Sequence, residues 1–149
     1  MPGTVTLHRT IKTTPEKLFR AFTDPLAFAS WIPPYGFLCT AHEFDARIGG
    51  TYRMSFTNFS TGSSHYFGGI FLELEQNESL KYTDKFEDPN LPGEMITTVT
   101  IKKGIATVEL KIVQEGIPDV IPVEMCYLGW QDSLDKLIRL VEPEIPDSI

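Results

Sequence analysis

The sequence predicts an α+β fold: a curved antiparallel sheet of six or seven strands wrapped around one long C-terminal helix. Two observations carry that expectation. Between Phe37 and Glu115 most apolar residues recur with a period of two, the pattern of strands buried on one face. From about Pro122 to Val141 the period lengthens, with apolar residues at 123, 127, 130, 134, 137, 138 and 141. That is helical spacing held for about five turns. A sheet of this size must bury one face, and the final helix is the only element long enough to cover it.

The first strand is TVTLHRTIK, where Val5, Leu7, Arg9 and Ile11 alternate with Thr4, Thr6, His8 and Thr10. A helix start follows, with Thr14 as N-cap, Pro15 as first helical residue and Glu16 in the first turn. Leu18, Phe19 and Phe22 form its inward stripe. A second short helix restarts after Asp24-Pro25 and is stopped by Pro33-Pro34. Six strands come next: FLCTAHEFD, GTYRMSFTNF, SHYFGGIFLELE, SLKYTDKF, EMITTVTIKK and ATVELKIVQE. Turn signals separate them, at Ile48-Gly49-Gly50, Thr61-Gly62-Ser63, Gln76-Asn77-Glu78, Asp88-Pro89-Asn90 with Pro92-Gly93, and Lys103-Gly104. Connections this short imply an antiparallel meander. Gly68-Gly69 falls in mid-strand, where glycine marks a bulge or a sharp bend. Pro143 and Pro146 end the last helix.

Gly129 stands inside that helix, beside Trp130, in the stretch GWQDSLDKL. A helical glycine costs roughly 1 kcal/mol against alanine, so a compensating role is expected. A tight crossing of sheet and helix is the expected role, and Gly129→Leu is then expected to destabilise the fold.

The chain of 149 residues suits one domain spanning 1–149. Its apolar content of 42% and aromatic content of 11% suit a packed core. A net charge of −7 without a cluster of Lys and Arg argues against nucleic acid as a partner. No apolar run reaches the roughly 18 residues of a membrane span, and MPGTVTLHRTIK lacks the apolar core of a signal peptide. Cys39 and Cys126 show no metal or redox spacing. Two reduced thiols in a cytoplasmic protein are expected. Monomer and homodimer both stay open.

The order of elements resembles the helix-grip fold of the START-like, or SRPBCC, superfamily. Within it the chain resembles the family of Hsp90 ATPase activator homologues. The residues that carry the likeness are TTPEKLFRAFTDPLAFASWI, FDARIGGTYRMSF, GIFLELEQNESLKYTDKF and GWQDSLDKLIRLV, which run in the family's order over nearly the whole chain. The resemblance implies a cavity between sheet and helix that takes a small apolar ligand of lipid, sterol or polyketide type. It also implies two alternatives. One is a module that activates an Hsp90-type chaperone, although the additional N-terminal domain of eukaryotic activators has no counterpart here. The other is an enzyme of the polyketide cyclase or dehydratase type.

Candidate residues follow from strand phase. Met54 and Phe56 share one face with Tyr52; Phe67 shares another with Phe71, and Tyr82 with Phe86. Met95, Thr97 and Val99 alternate likewise, as does Leu110 on the last strand, and the final helix adds Met125, Cys126, Tyr127, Trp130 and Leu134. Together with Trp31 these are the candidate ligand contacts, with Tyr82, Tyr127, Thr97 and Trp31 as groups able to orient a polar end. Asp84 is in phase with Leu80, Tyr82 and Phe86, so it is a candidate anchor or base whose pKa burial would raise. His65 shares a face with Phe67 and Phe71 and is the second weak catalytic candidate. No Gly-x-Ser-x-Gly elbow, P-loop, dinucleotide fingerprint or metal-ligand spacing is present. Neither a cofactor nor a metal is expected, and ligand binding without catalysis is the leading reading.

Overall fold

The computed structural model describes residues 2–148. Its elements run β1 (Gly3–Ile11), α1 (Pro15–Thr23), α2 (Pro25–Trp31), β2 (Phe37–Phe44), β3 (Thr51–Asn58), β4 (Ser64–Glu75) and β5 (Ser79–Phe86). Then follow β6 (Met95–Lys103), β7 (Val108–Ile117) and α3 (Val123–Val141). The strands form one seven-stranded antiparallel sheet in the order β1-β7-β6-β5-β4-β3-β2, so β1 and β2 are its edges. One face carries the core, and the three helices pack on it. This is the helix-grip arrangement.

The two short helices begin where their caps require. The Thr14 hydroxyl accepts the Lys17 backbone N–H at 3.2 Å, and Asp24 Oδ1 accepts those of Leu26 and Ala27 at 2.9 and 3.1 Å. Both helices place proline in the first turn, where its missing N–H is no loss. Loss of the double cap in Asp24→Ala is expected to cost about 1 kcal/mol, a fall of about 3 °C in the midpoint of a thermal melt. An unchanged midpoint would contradict the cap's role. Of the stripe expected on α1, Leu18 and Phe22 are buried, joined by Ala21, while Phe19 is only partly buried against the core. Trp31 ends α2 fully buried, edge-on to Phe22 and Phe28 at 4.9 and 5.2 Å, and its indole N–H donates to the Ala21 carbonyl at 2.9 Å.

The glycine pair in β4 has the structural role its position implies. A Cβ on Gly68 would overlap the Tyr52 carbonyl, and one on Gly69 would overlap that of Thr83. The β4–β5 register shifts just beyond, between Phe71 and Glu73. Across this stretch the Thr83 hydroxyl accepts the Ile70 backbone N–H at 2.9 Å. Here the β4 backbone lies close to both neighbouring strands, β3 and β5.

α3 is held unequally at its two ends. Near its C-terminus the Thr13 hydroxyl donates to the Val141 carbonyl at 2.8 Å, and the Lys17 ammonium donates to that of Pro143 at 2.6 Å. At its N-terminus Pro122 supplies no side-chain cap. The buried line comprises Trp130, Ser133, Leu134, Leu137 and Val141. The first turns depart from the expected stripe: Val123, Met125, Tyr127 and Leu128 are 37–65% exposed.

The expectation for Gly129 is overturned. A Cβ built there meets nothing within 4 Å, so no backbone presses on it. The close approach of sheet and helix lies instead at Gly3, whose missing Cβ would overlap the side chain of Val123. The crossing therefore sits at the start of α3, against the edge strand, and the middle of the helix stands off from the sheet.

Candidate functional site

The gap under the middle of α3 is a pocket of about 190 Å³. Strands β3 to β7 form its floor through Tyr52, Phe56, Phe67, Tyr82, Asp84, Phe86, Met95 and Gln114. Phe28, Ile32 and Pro34 close one side, and Cys126, Gly129, Trp130 and Ser133 of α3 form the roof. Open space at Gly129 is what its missing side chain provides. Across the roof the Ser133 hydroxyl donates to the Ile32 carbonyl at 2.6 Å, tying α3 to the end of α2. The Trp130 indole N–H donates to Gln114 Oε1 at 3.0 Å, tying α3 to β7.

One carboxyl breaks this apolar lining. Asp84 lies on β5 opposite Met95 of β6, and although the residue as a whole keeps some exposure, its Oδ1 is buried and has no hydrogen-bond partner. Burial in these surroundings raises its pKa from the usual 3.8 to about 7, and the Lys85 backbone N–H lowers it only in part. No cation compensates it: among the described residues the wall holds no Lys, Arg or His. Burial also pushes up the phenols of Tyr52 and Tyr82, each raised further by the charge of Asp84. The Tyr52 hydroxyl is committed to the Thr83 carbonyl at 2.6 Å. Thr97 faces Tyr82 across the β5–β6 pair, close enough to ease the phenol's ionisation, yet its buried hydroxyl forms no well-aligned hydrogen bond.

Of the candidate contacts, Phe56, Phe67, Tyr82, Phe86, Met95, Cys126 and Trp130 meet around this pocket, together with Asp84. Trp31, Met54, Phe71, Thr97, Val99, Leu110 and Leu134 are at most 2% exposed but pack the surrounding core rather than the wall. Trp31 cannot orient a ligand with an indole N–H already given to Ala21. Three residues correct the sequence reading. Met125 and Tyr127 face outward, because the pocket side of α3 runs through Cys126, Gly129, Trp130 and Ser133, rotated by about one residue. His65 is exposed at the start of β4, outside the wall, since the strand reaches the core only at Phe67.

Two further wall residues, Gln114 and Ser133, also have a signal in the sequence. Gln114 continues the alternation of Val108, Leu110 and Ile112, and Ser133 follows Trp130 by three residues. Elsewhere, His42 Nε2 lies 2.9 Å from the Ser55 hydroxyl, away from the pocket. Both cysteines are free thiols, and burial pushes Cys39 up to about 12. Among the described residues no group of three His, Cys, Asp or Glu could hold a metal, and no helix is long and apolar enough to cross a membrane.

The sequence model of the family described as Activator of Hsp90 ATPase homolog 1-like protein matches residues 12–142. The chain belongs to this family. Among solved structures, a Chromobacterium violaceum protein is 55% identical, with 97% of this chain and 100% of that one covered at a TM-score of 0.94. A Rhodobacter sphaeroides protein shares the fold at 19% identity, covering 93% of this chain and 95% of that one, with a TM-score of 0.81. One from Staphylococcus epidermidis does so at 17% identity, covering 100% and 96%, with a TM-score of 0.80. No curated protein is a significant match.

Proposed function

We propose that this member of the Activator of Hsp90 ATPase homolog 1-like family binds a small, mainly apolar molecule in the pocket under α3, in the cytoplasm. The observation that supports this most is an open apolar cavity whose one carboxyl oxygen has no partner. A core selected only for packing would fill that space and pair that oxygen. The volume of about 190 Å³ is below the roughly 300–1,000 Å³ of drug-sized sites. A cavity of roughly 150 Å³ already accommodates benzene. The ligand is therefore about one ring in size, and a whole sterol or lipid would require the pocket to widen.

Titration of 2-phenylethanol into ¹⁵N-labelled protein tests the proposal. Saturable shifts are expected at the backbone amides of Phe67, Tyr82, Met95, Gly129 and Trp130. Shifts confined to the outer strand faces, or none at millimolar probe, would contradict it.

One observation favours a second reading. A carboxyl that titrates near neutrality inside a pocket is suited to proton transfer, and Asp84→Asn would then abolish turnover of a bound substrate without abolishing its binding. The chaperone role in the family's description would use a different surface. An Hsp90-type ATPase whose rate is unaffected by excess protein would exclude it.

A further inference from the structure

We infer that the ligand of this pocket is an amine: a small aryl-alkyl ammonium seated among the aromatic rings, with its N–H donating to Asp84 Oδ1. The inference rests on the pocket being a ligand site and specifies what that site recognises.

An ionised carboxylate can only accept hydrogen bonds, and Oδ1 of Asp84 is buried without a donor. No donor of the wall reaches it: the Tyr82 hydroxyl and the Gln114 amide line the pocket without bonding Oδ1, and three others are committed elsewhere. The Tyr52 hydroxyl goes to Thr83, the Trp130 indole to Gln114 and the Ser133 hydroxyl to Ile32. The missing donor must come from the ligand. Where the carboxyl is ionised it must also bring positive charge, because no Lys, Arg or His stands in the described wall to balance the carboxylate. A buried carboxylate without a cation is strongly disfavoured. An alcohol would satisfy the oxygen and leave the charge, and a carboxylate ligand would double it.

The rings point to the same chemistry. Phe28, Tyr52, Phe56, Phe67, Tyr82 and Phe86 all line the pocket. Aromatic faces attract cations through their quadrupoles, most strongly where water is excluded. Rings combined with one acidic acceptor form a site for an ammonium group on an apolar body.

The groups that line the pocket with Asp84 also define how binding should respond to pH. Those with polar atoms are Tyr52 from β3, Tyr82 from the same strand, Gln114 from β7, and Cys126, Trp130 and Ser133 from α3. Of these only the two phenols and the thiol titrate, and burial raises all three further above neutrality. Near neutral pH, Asp84 alone changes charge in the site.

The test uses three probes of similar shape, phenethylamine, 2-phenylethanol and 3-phenylpropionate, measured by calorimetry on the wild type and on Asp84→Asn. At pH 8 the amine is expected to bind on the order of tenfold more tightly than the alcohol, the effect of a charge-assisted contact, and the acid most weakly. In Asp84→Asn the ratio of amine to alcohol affinity should fall to about one. Amine affinity for the wild type should rise between about pH 6 and pH 8, as Asp84 ionises. Alcohol binding without preference for the amine, or a preference that survives Asp84→Asn, would overturn the inference while leaving the pocket reading standing. If none of the three probes binds the wild type, the pocket reading fails and the inference with it.

Discussion

Replacing Asp84 with asparagine is expected to stabilise the protein by about 2 kcal/mol at pH 8 and to give no gain at pH 4. The carboxyl titrates near 7 in the fold against 3.8 ordinarily. Because the folded value is raised, the native state binds the proton more tightly than the unfolded chain. Stability is then greatest below about pH 4, falls as the pH rises toward 7, and levels off above it. A displacement of roughly three units corresponds to a loss on the order of 4 kcal/mol. Asparagine carries no charge and removes this loss. Its amide leaves buried donors unpaired at a cost of about 1–3 kcal/mol, which offsets part of the gain at pH 8 and can make the variant slightly less stable at pH 4. Urea unfolding of both proteins at the two pH values measures the difference. Parallel stability profiles would show that Asp84 titrates as it does in water.

Gly129→Leu is expected to fold normally and to abolish binding of a one-ring probe. The new side chain enters open space, since even its Cβ has no neighbour within 4 Å, and leaves a helical glycine's cost of roughly 1 kcal/mol behind. Gly129 lines the pocket of about 190 Å³, and a leucine there is expected to take up much of it. Thermal melting and the 2-phenylethanol titration together check both halves of the expectation. A lowered melting midpoint would restore the tight-crossing role that the sequence pattern suggests. Unaltered probe binding would place the ligand elsewhere, and Gly129→Ala, which fills less, should weaken binding without eliminating it.

Those two residues also show how far the sequence is legible. Period-two alternation, proline-capped helix starts and glycine turns specify every strand and helix to within about two residues, because each is a local consequence of backbone geometry. Asp84 could be aimed inward from its phase with Tyr82 and Phe86, since the pleat leaves only two faces. What phase cannot supply is depth. Met54, Val99 and Leu110 point inward like Phe67 and Met95, yet they pack the core while the others border a void. The void depends on how far α3 stands off from the sheet, set by the Gly3–Val123 approach at one end and the Thr13 and Lys17 hydrogen bonds at the other. Contacts made across more than a hundred residues leave no periodic trace. The same holds for the rotation of α3 that turns Met125 and Tyr127 outward.

A buried carboxyl with an unpaired oxygen and no cation reduces the stability of the fold that carries it, which is how residues kept for binding differ from residues kept for packing. The titration of Asp84 itself tests this most directly. In protein labelled with ¹³C at aspartate carboxyls, the Asp84 signal is predicted to titrate with a midpoint of about 7. A midpoint near the ordinary 3.8 would mean a solvated carboxyl, and would contradict a pocket built around an uncompensated acid.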